Sequence, residues 1–299
     1  MKKHLPLILI IVILVVGVGI LSYPLFSSVV NNIASRQTAE DHQKRIEKLD
    51  KDDKNALYAE ADVYNQSLTD NVILTDPFDE EAYKRIGSTY KKAFNVTPDG
   101  LICYIDIPKI NVYLPVYHGT SEETLAKTAG HLENTSIPVG GESTHAVISA
   151  HSAFPGETFF DYLPDLKEGD EFYIHILDRT LKYEVDQIKV VTPETTEDLR
   201  ITKGEDYVTL ITCTPYSINT HRLLVRGSRV PYDDNEYVVI EPPTLTFDND
   251  CVFFLGYKIP YWGAAIAIAV ILGVVVLIVV LVLRRSRRKK EKGGARFET

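Results

Sequence analysis

From residue 101 to residue 230, apolar side chains recur at every second position in short segments that turn residues separate. This period is typical of β-strands that bury one face. It predicts strands over residues 101–108, 110–117, 143–151, 171–177, 181–191, 206–213 and 221–230, and an eighth over 236–243. Within 181–191 the apolar positions change from odd to even numbers, which predicts a β-bulge. Seven or eight short strands favour a mainly β closed barrel or a sandwich, and a barrel removes exposed strand edges.

Two helical segments precede these strands. Residues 34–70 carry a thin apolar stripe among many charges, with no proline or glycine, and predict a helix that lies on another surface. A second helix is predicted over residues 82–93. In the TDPFDEE segment before it, Thr75 or Asp76 is a candidate N-cap and Pro77 suits the first helical position.

Two apolar runs flank the whole region. Residues 263–283 contain no charge and are long enough to span about 30 Å of hydrocarbon. Residues 5–21 follow two lysines, with no convincing cleavage site after them, and favour an uncleaved membrane anchor over a signal peptide. Seven lysines and arginines follow the second run closely, so the positive-inside rule places both termini in the cytoplasm and residues 27–260 outside a cell membrane that the chain crosses twice.

The formal net charge of −9 is unevenly distributed. Residues 2–3 and 284–299 hold 10 of the 32 basic residues and 2 of the 41 acidic ones, which leaves 22 basic against 39 acidic residues for the rest. Such an acidic outer region disfavours binding of nucleic acid.

The chain has only three cysteines, Cys103, Cys213 and Cys251, too few for a domain stapled by disulfides. Cys213 ends one predicted strand and Arg222 stands near the start of the next. Neighbouring residues of a strand face opposite ways, so either Arg222 or His221 shares the face of Cys213. A cation beside a thiol favours the thiolate and can also stabilise an oxyanion.

A thiol nucleophile also needs a proton partner, usually a histidine. The strand-rich region offers five histidines: His131, His145, His151, His175 and His221. His151 differs from the others because it follows an apolar run and is flanked by small residues, which leaves its ring uncrowded at a strand end. Periodicity alone does not choose among the five.

The segment TLITC at 209–213 resembles the Thr-Leu-X-Thr-Cys signature of sortases. The continuation to TCTPYSINTHRLLVRG, together with GHLENTSIPVGG at 130–141, is similar to the class C, pilus-assembling sortases. The similarity runs from about residue 34 to 260, and an N-terminal anchor with a C-terminal membrane helix is also typical of that class. The resemblance implies a closed eight-stranded β-barrel and a cysteine transpeptidase of the Gram-positive cell wall.

The resemblance also assigns roles to residues. It implies that Cys213 is the nucleophile, that His151 is the acid and base, and that Arg222 positions substrate and stabilises the oxyanion. It implies that residues 76–78 form a lid over the cleft, consisting of Asp76, Pro77 and Phe78. Many relatives carry tryptophan where this chain has phenylalanine.

Six regions follow from these observations. They are a stub and anchor or signal at 1–26, a helical region with the lid at 27–98, a catalytic barrel at 99–245, a juxtamembrane linker at 246–262, a transmembrane helix at 263–283 and a basic cytoplasmic tail at 284–299.

The expected partners are pilin subunits with an LPXTG-like sorting signal and an acceptor lysine, or a cell-wall precursor. No cofactor or metal is expected, since the histidines and cysteines lack zinc-type spacing. A hydrolytic cysteine peptidase and a non-catalytic membrane-held scaffold remain alternatives. A thiol oxidoreductase is poorly supported because the chain has no C-x-x-C motif.

Overall fold

The computed structural model describes residues 44–68, 74–79, 93–155 and 157–232, the short segments 245–247, 251–254 and 257–260, and the single positions 16, 17, 19, 20, 38, 90, 263 and 273. The chain forms two compact units, Met1–Pro242 and Pro243–Thr299.

Helix α1 spans Lys51–Ser67. Asp50 caps it, since its carboxylate accepts a hydrogen bond from the backbone N–H of Asp53 at 2.8 Å. The predicted helix over 34–70 is therefore interrupted at residues 47–50, where the chain makes a turn before the cap. Most of the predicted helix over 82–93 lies outside the described residues.

Helix α1 lies on the barrel, as its thin apolar stripe predicts. Its buried residues are Tyr58, Ala61, Tyr64 and Asn65. The Tyr58 hydroxyl donates to the carbonyl of Ile176 at 3.1 Å. The Asn65 amide donates to the carbonyl of Ile137 at 3.1 Å and accepts from its N–H at 2.8 Å. Because the buried Asn65 side chain pairs with both the N–H and the carbonyl of Ile137, it fixes helix α1 against the loop before the fourth strand.

Eight strands close into a barrel in the order β1-β2-β3-β4-β7-β8-β6-β5. Their bounds are β1 Leu101–Ile107, β2 Val112–His118, β3 Ala129–His131, β4 Thr144–Ser149, β5 Glu171–Ile176, β6 Arg179–Val191, β7 Asp206–Thr214 and β8 His221–Val230. A short helix, α2, spans Glu122–Leu125 between β2 and β3. The mainly β closed barrel is confirmed. Seven of its strands match predicted segments, whereas β3 was missed.

The predicted bulge in β6 is confirmed, because its pairing with β8 shifts register between Val185 and Gln187. The core of the barrel is formed by side chains that point inward from all eight strands. The largest fully buried side chains of the core include Tyr183, Phe160, Phe172, Ile105 and Ile148. The candidate active site lies at the rim of the barrel rather than in this core.

Two pairings fix the position of that site. Strand β4 runs parallel to β7, with Ser149 opposite Ile211, and β7 runs antiparallel to β8. The end of β4, the end of β7 and the start of β8 therefore meet at one rim of the barrel.

The second unit contains a three-stranded antiparallel sheet in the order β11-β10-β9. The strands are β9 Leu245–Phe247, β10 Cys251–Phe254 and β11 Tyr257–Pro260. The predicted strand over 236–243 lies outside the described residues. So do the two predicted membrane segments, 5–21 and 263–283, apart from a few single positions. In the described part of the chain, no helix has the length and apolar character needed to cross a membrane.

Candidate active site

The β7–β8 register places Cys213 directly opposite Arg222, and Thr214 opposite His221. Residues directly opposite each other in an antiparallel pair project to the same face. Arg222 therefore shares a face with Cys213, and His221 lies on the other face. The hairpin resolves the alternative that parity left open in the sequence.

Hydrogen bonds between β4 and β7 bring His151 beside the cysteine. The N–H of Ala150 donates to the carbonyl of Ile211 at 3.2 Å. The Thr212 hydroxyl donates to the carbonyl of Ala150 at 2.8 Å, and the Ser152 hydroxyl donates to the carbonyl of Cys213 at 2.7 Å. These bonds tie the residues on either side of His151 to the end of β7. The three predicted catalytic residues thus converge on one rim.

Aromatic contacts hold the His151 ring. It stacks on Phe154 with 5.3 Å between ring centroids and lies tilted against Phe78 at 5.4 Å. Burial lowers the pKa of His151, and the negative charge of Glu122 acts in the opposite direction. Among the described residues, none hydrogen-bonds the imidazole. Its nitrogens are thus available to a reacting group.

Cys213 carries a free thiol, and the residue is 7% exposed. Burial raises the pKa of the Cys213 thiol, the positive charge of Arg222 lowers it, and the negative charge of Asp76 raises it again. Both shifts favour the uncharged forms, a thiol at Cys213 and a neutral imidazole at His151.

The segment predicted to form a lid lies against Arg222. Both carboxylate oxygens of Asp76 accept from the guanidinium, from Nε at 2.8 Å and from Nη2 at 2.6 Å. This bidentate ion pair, with 11% and 16% of the two side chains exposed, raises the pKa of Arg222 against the lowering effect of burial. The N-cap role considered for Asp76 concerns a helix outside the described residues. Within them, the carboxylate binds Arg222 and accepts from the N–H of Phe78 at 3.4 Å.

The second lid side chain, that of Phe78, also lies against Arg222. The Arg222 guanidinium carbon lies 5.0 Å from the Phe78 ring centroid. Phe78 also packs, together with Leu74 and Val191, against five buried apolar residues: Leu132, Val147, Leu199, Ile211 and Leu224. We call these eight residues the lid cluster. The lid is thus held both by charge and by apolar contact.

Two of the other candidate histidines are fixed inside the protein. His131 pairs through Nδ1 with the Tyr90 hydroxyl and through Nε2 with the carbonyl of Ser136, both at 2.8 Å. His145 pairs through Nδ1 with the carbonyl of Arg200 at 2.9 Å and through Nε2 with the Thr209 hydroxyl at 2.7 Å. Burial lowers the pKa of His131 to about 3 and that of His145 to about 4. Neither ring has a nitrogen to offer to a substrate.

Sequence reasoning missed the groups that support the site. Ser152 and Thr212 join β4 to β7, and the ion partner of Asp76 is 146 residues away in the chain. Small hydroxyl residues next to candidate catalytic residues were the only signal, and they are too common to identify a role.

Three comparisons with known proteins find similarity to the same family. A family model for the sortase domain matches residues 105–230. Among curated proteins, sortase D of Bacillus subtilis (strain 168) is 29% identical over 129 residues, which are 42% of this chain and 62% of that protein. Sortase A of Bacillus anthracis is 29% identical over 126 residues, 42% of this chain and 58% of that protein. The chain thus spans about three-fifths of the length of these curated relatives.

Solved structures are similar over a longer stretch. Sortase C-1 from Streptococcus pneumoniae superposes with a TM-score of 0.61 at 46% identity, and the match covers 66% of this chain and 100% of that one. The pilus-related sortase C of Group B Streptococcus gives a TM-score of 0.59 at 48% identity, with 64% of this chain and 97% of that one covered.

Proposed function

Because this chain belongs to the sortase family and is similar to pilus-related class C members, we propose that it is a membrane-anchored cysteine transpeptidase that joins pilin subunits. It cleaves an LPXTG-like sorting signal between threonine and glycine and transfers the new acyl group to a lysine amine. The observation that carries this proposal is the convergence of Cys213, Arg222 and His151 on one rim of the barrel.

Acylation begins with a proton transfer. His151 accepts the thiol proton, and the Cys213 sulfur attacks the threonine carbonyl carbon. The carbonyl oxygen gains the negative charge, and the Arg222 guanidinium stabilises it. The carbon–nitrogen bond then breaks as His151 gives the proton to the departing glycine amine. A thioester on Cys213 is left.

Deacylation reverses the roles. A neutral lysine amine attacks the thioester carbon, His151 takes the proton from the amine, and the carbon–sulfur bond breaks. The thiolate recovers this proton, so that Cys213 and His151 return to their neutral forms. Dividing the exchange into two steps lets an amine rather than water accept the acyl group.

The lid regulates both steps. While Asp76 occupies the Arg222 guanidinium and Phe78 packs against the His151 ring, a substrate carbonyl cannot reach either group. Catalysis therefore requires that the lid move away. The two apolar runs of the sequence, 5–21 and 263–283, hold the enzyme at the membrane with the barrel outside, where pilin subunits arrive.

The direct test is capture of the thioester. The full-length chain in detergent is incubated with a Leu-Pro-X-Thr-Gly peptide and examined by mass spectrometry, both as the native chain and with Asp76→Ala to release the lid. An acyl adduct on Cys213 is expected, and Cys213→Ala abolishes it.

Cys103→Ala is the matched control, because Cys103 is also a free, buried cysteine, and its side chain belongs to the barrel core. It should leave the adduct intact. Absence of any adduct in both lid forms with several sorting peptides would refute the proposal. Peptide hydrolysis in the presence of abundant lysine amine would instead indicate a peptidase.

A further inference from the structure

The Ser149 hydroxyl is an unusual group in this barrel. Ser149 is 0% exposed, and its oxygen has no hydrogen-bond partner among the described residues. A buried hydroxyl without a partner destabilises the folded state, and such groups are rare in native proteins. The residue therefore calls for an explanation beyond packing.

Strand alternation places this hydroxyl on the face of the candidate active site. Ala146, Ile148 and Ala150 of the β4 segment belong to the barrel core. Val147 belongs to the lid cluster instead. Successive side chains of a strand alternate between the two faces, so Ser149 projects to the same side as Val147.

Other hydroxyls in and near these strands do have partners. Thr212 donates to the carbonyl of Ala150, Ser152 donates to that of Cys213, and Thr135 donates to that of Leu132. Local backbone carbonyls thus satisfy the neighbouring hydroxyl groups but leave Ser149 unpaired. Ser149 is the member of this group that retains a hydrogen-bond donor for a ligand.

The position of Ser149 relative to the thiol follows from the register. Ser149 lies opposite Ile211, two residues before Cys213 on the adjacent parallel strand. With strands about 4.8 Å apart and a rise of about 3.3 Å per residue, the two Cα atoms are about 8 Å apart. An extended peptide covers this distance in two to three residues.

We propose that the Ser149 hydroxyl donates a hydrogen bond to a backbone carbonyl of the acyl-donor peptide, two residues before the scissile threonine carbonyl. This inference rests on the transpeptidase function proposed above. In an LPXTG-like signal that carbonyl belongs to proline, which has no N–H of its own. A hydroxyl that donates is therefore the complementary group at this point, and the hydrogen bond fixes the peptide along β4 and β7 with its scissile bond at Cys213.

The first test compares Ser149→Ala with the parent enzyme, both as full-length chains in detergent and both with Asp76→Ala to release the lid. The kcat/KM for a Leu-Pro-X-Thr-Gly peptide should fall by about five- to tenfold, the effect of one hydrogen bond. The melting temperature should stay equal or rise by about 2–4 °C, because the variant removes an unpaired buried hydroxyl.

Thr97→Val is the matched control. Its hydroxyl is also buried and unpaired among the described residues, but it precedes β1, which is four strands away from β7 around the barrel. This control should share the stability effect and leave kcat/KM unchanged. A purely structural role for Ser149 would make the two variants behave alike.

The second test changes the substrate. A thioamide at the proline carbonyl provides a weaker acceptor, so it should lower kcat/KM for the parent enzyme but not further for Ser149→Ala. Equal kcat/KM for the parent and Ser149→Ala, or equal thioamide effects in both, would overturn the inference. An inactive parent enzyme would instead contradict the transpeptidase proposal itself.

Discussion

Two histidines of the same barrel have opposite surroundings. Both ring nitrogens of His131 pair with buried protein groups, and its ring stacks on that of Tyr90 with 5.7 Å between centroids and 23° between planes. His151 is held by the faces of Phe78 and Phe154, and no described residue bonds its nitrogens. The difference teaches that fixing a ring and keeping it reactive require different contacts. Aromatic packing orients an imidazole without consuming its capacity for proton transfer.

Replacement of His151 should produce the largest effect on activity. His151→Ala removes the proposed acid and base, so kcat/KM should fall by about 10²- to 10⁴-fold while the folded state persists. The measurement is thioester formation and amine transfer with a sorting peptide.

His221→Ala is the matched control for that experiment, because His221 stands one residue from Arg222 but faces the other way. It should retain nearly full activity. If the two variants were equally active, His151 would have no role in proton transfer.

Replacement of His131 should lower stability and change activity little, the opposite of the effect expected for His151→Ala. His131→Ala leaves a cavity and unpairs the carbonyl of Ser136, which should lower the free energy of unfolding by about 2–5 kcal/mol. Urea denaturation measures this loss, and the activity per folded molecule should change little. Unaltered stability would show that the buried network contributes nothing to the fold.

Lowering the pH should destabilise the folded state through the buried histidines His131 and His145. In the unfolded chain a histidine has a pKa near 6.5, whereas burial lowers the pKa of His131 to about 3 and of His145 to about 4. Between pH 6.5 and about 4 the unfolded chain therefore binds more protons, and each group lowers stability by up to about 1.4 kcal/mol per pH unit as pH falls. Urea midpoints measured from pH 7.5 to pH 4.5 should decline, and His145→Gln should flatten the curve. A curve unaffected by that variant would contradict the assignment.

The smallest expected effect concerns the lid charge. Asp76→Asn removes a carboxylate that raises the pKa of the Cys213 thiol, so that pKa should fall. Alkylation of Cys213 by iodoacetamide at pH 7 should become about three- to tenfold faster. Asp79→Asn makes the same charge change in the same segment and should have a weaker effect. Equal rates for both variants would indicate that the Asp76–Arg222 pair does not control the thiol.

The sequence predicted most of the barrel because its longer strands carry period-two alternation. Strand β3 was missed since Ala129–His131 is three residues long and pairs with β2 and β4 through contacts that no local pattern encodes. The interruption before α1 was also missed. There, the only sign was Asp50, one acidic residue among many.

The site was predictable to a different extent. Parity within the β7–β8 hairpin limited the partner of Cys213 to Arg222 or His221, and the family resemblance predicted His151 as the proton partner. Neither source indicated that Asp76 binds Arg222 or that Ser149 lies unpaired. Both facts depend on three-dimensional contact between segments far apart in sequence, so only the folded chain displays them.

The closed barrel has a consequence for how peptides are recognised. Every one of its eight strands pairs on both sides, so the described barrel offers no free edge to which an extended peptide could add as another strand. Under the proposed function, a sorting signal would therefore be held by side chains that project from the barrel surface. The same closure leaves the described barrel without an edge at which it could join other extended chains in aggregates.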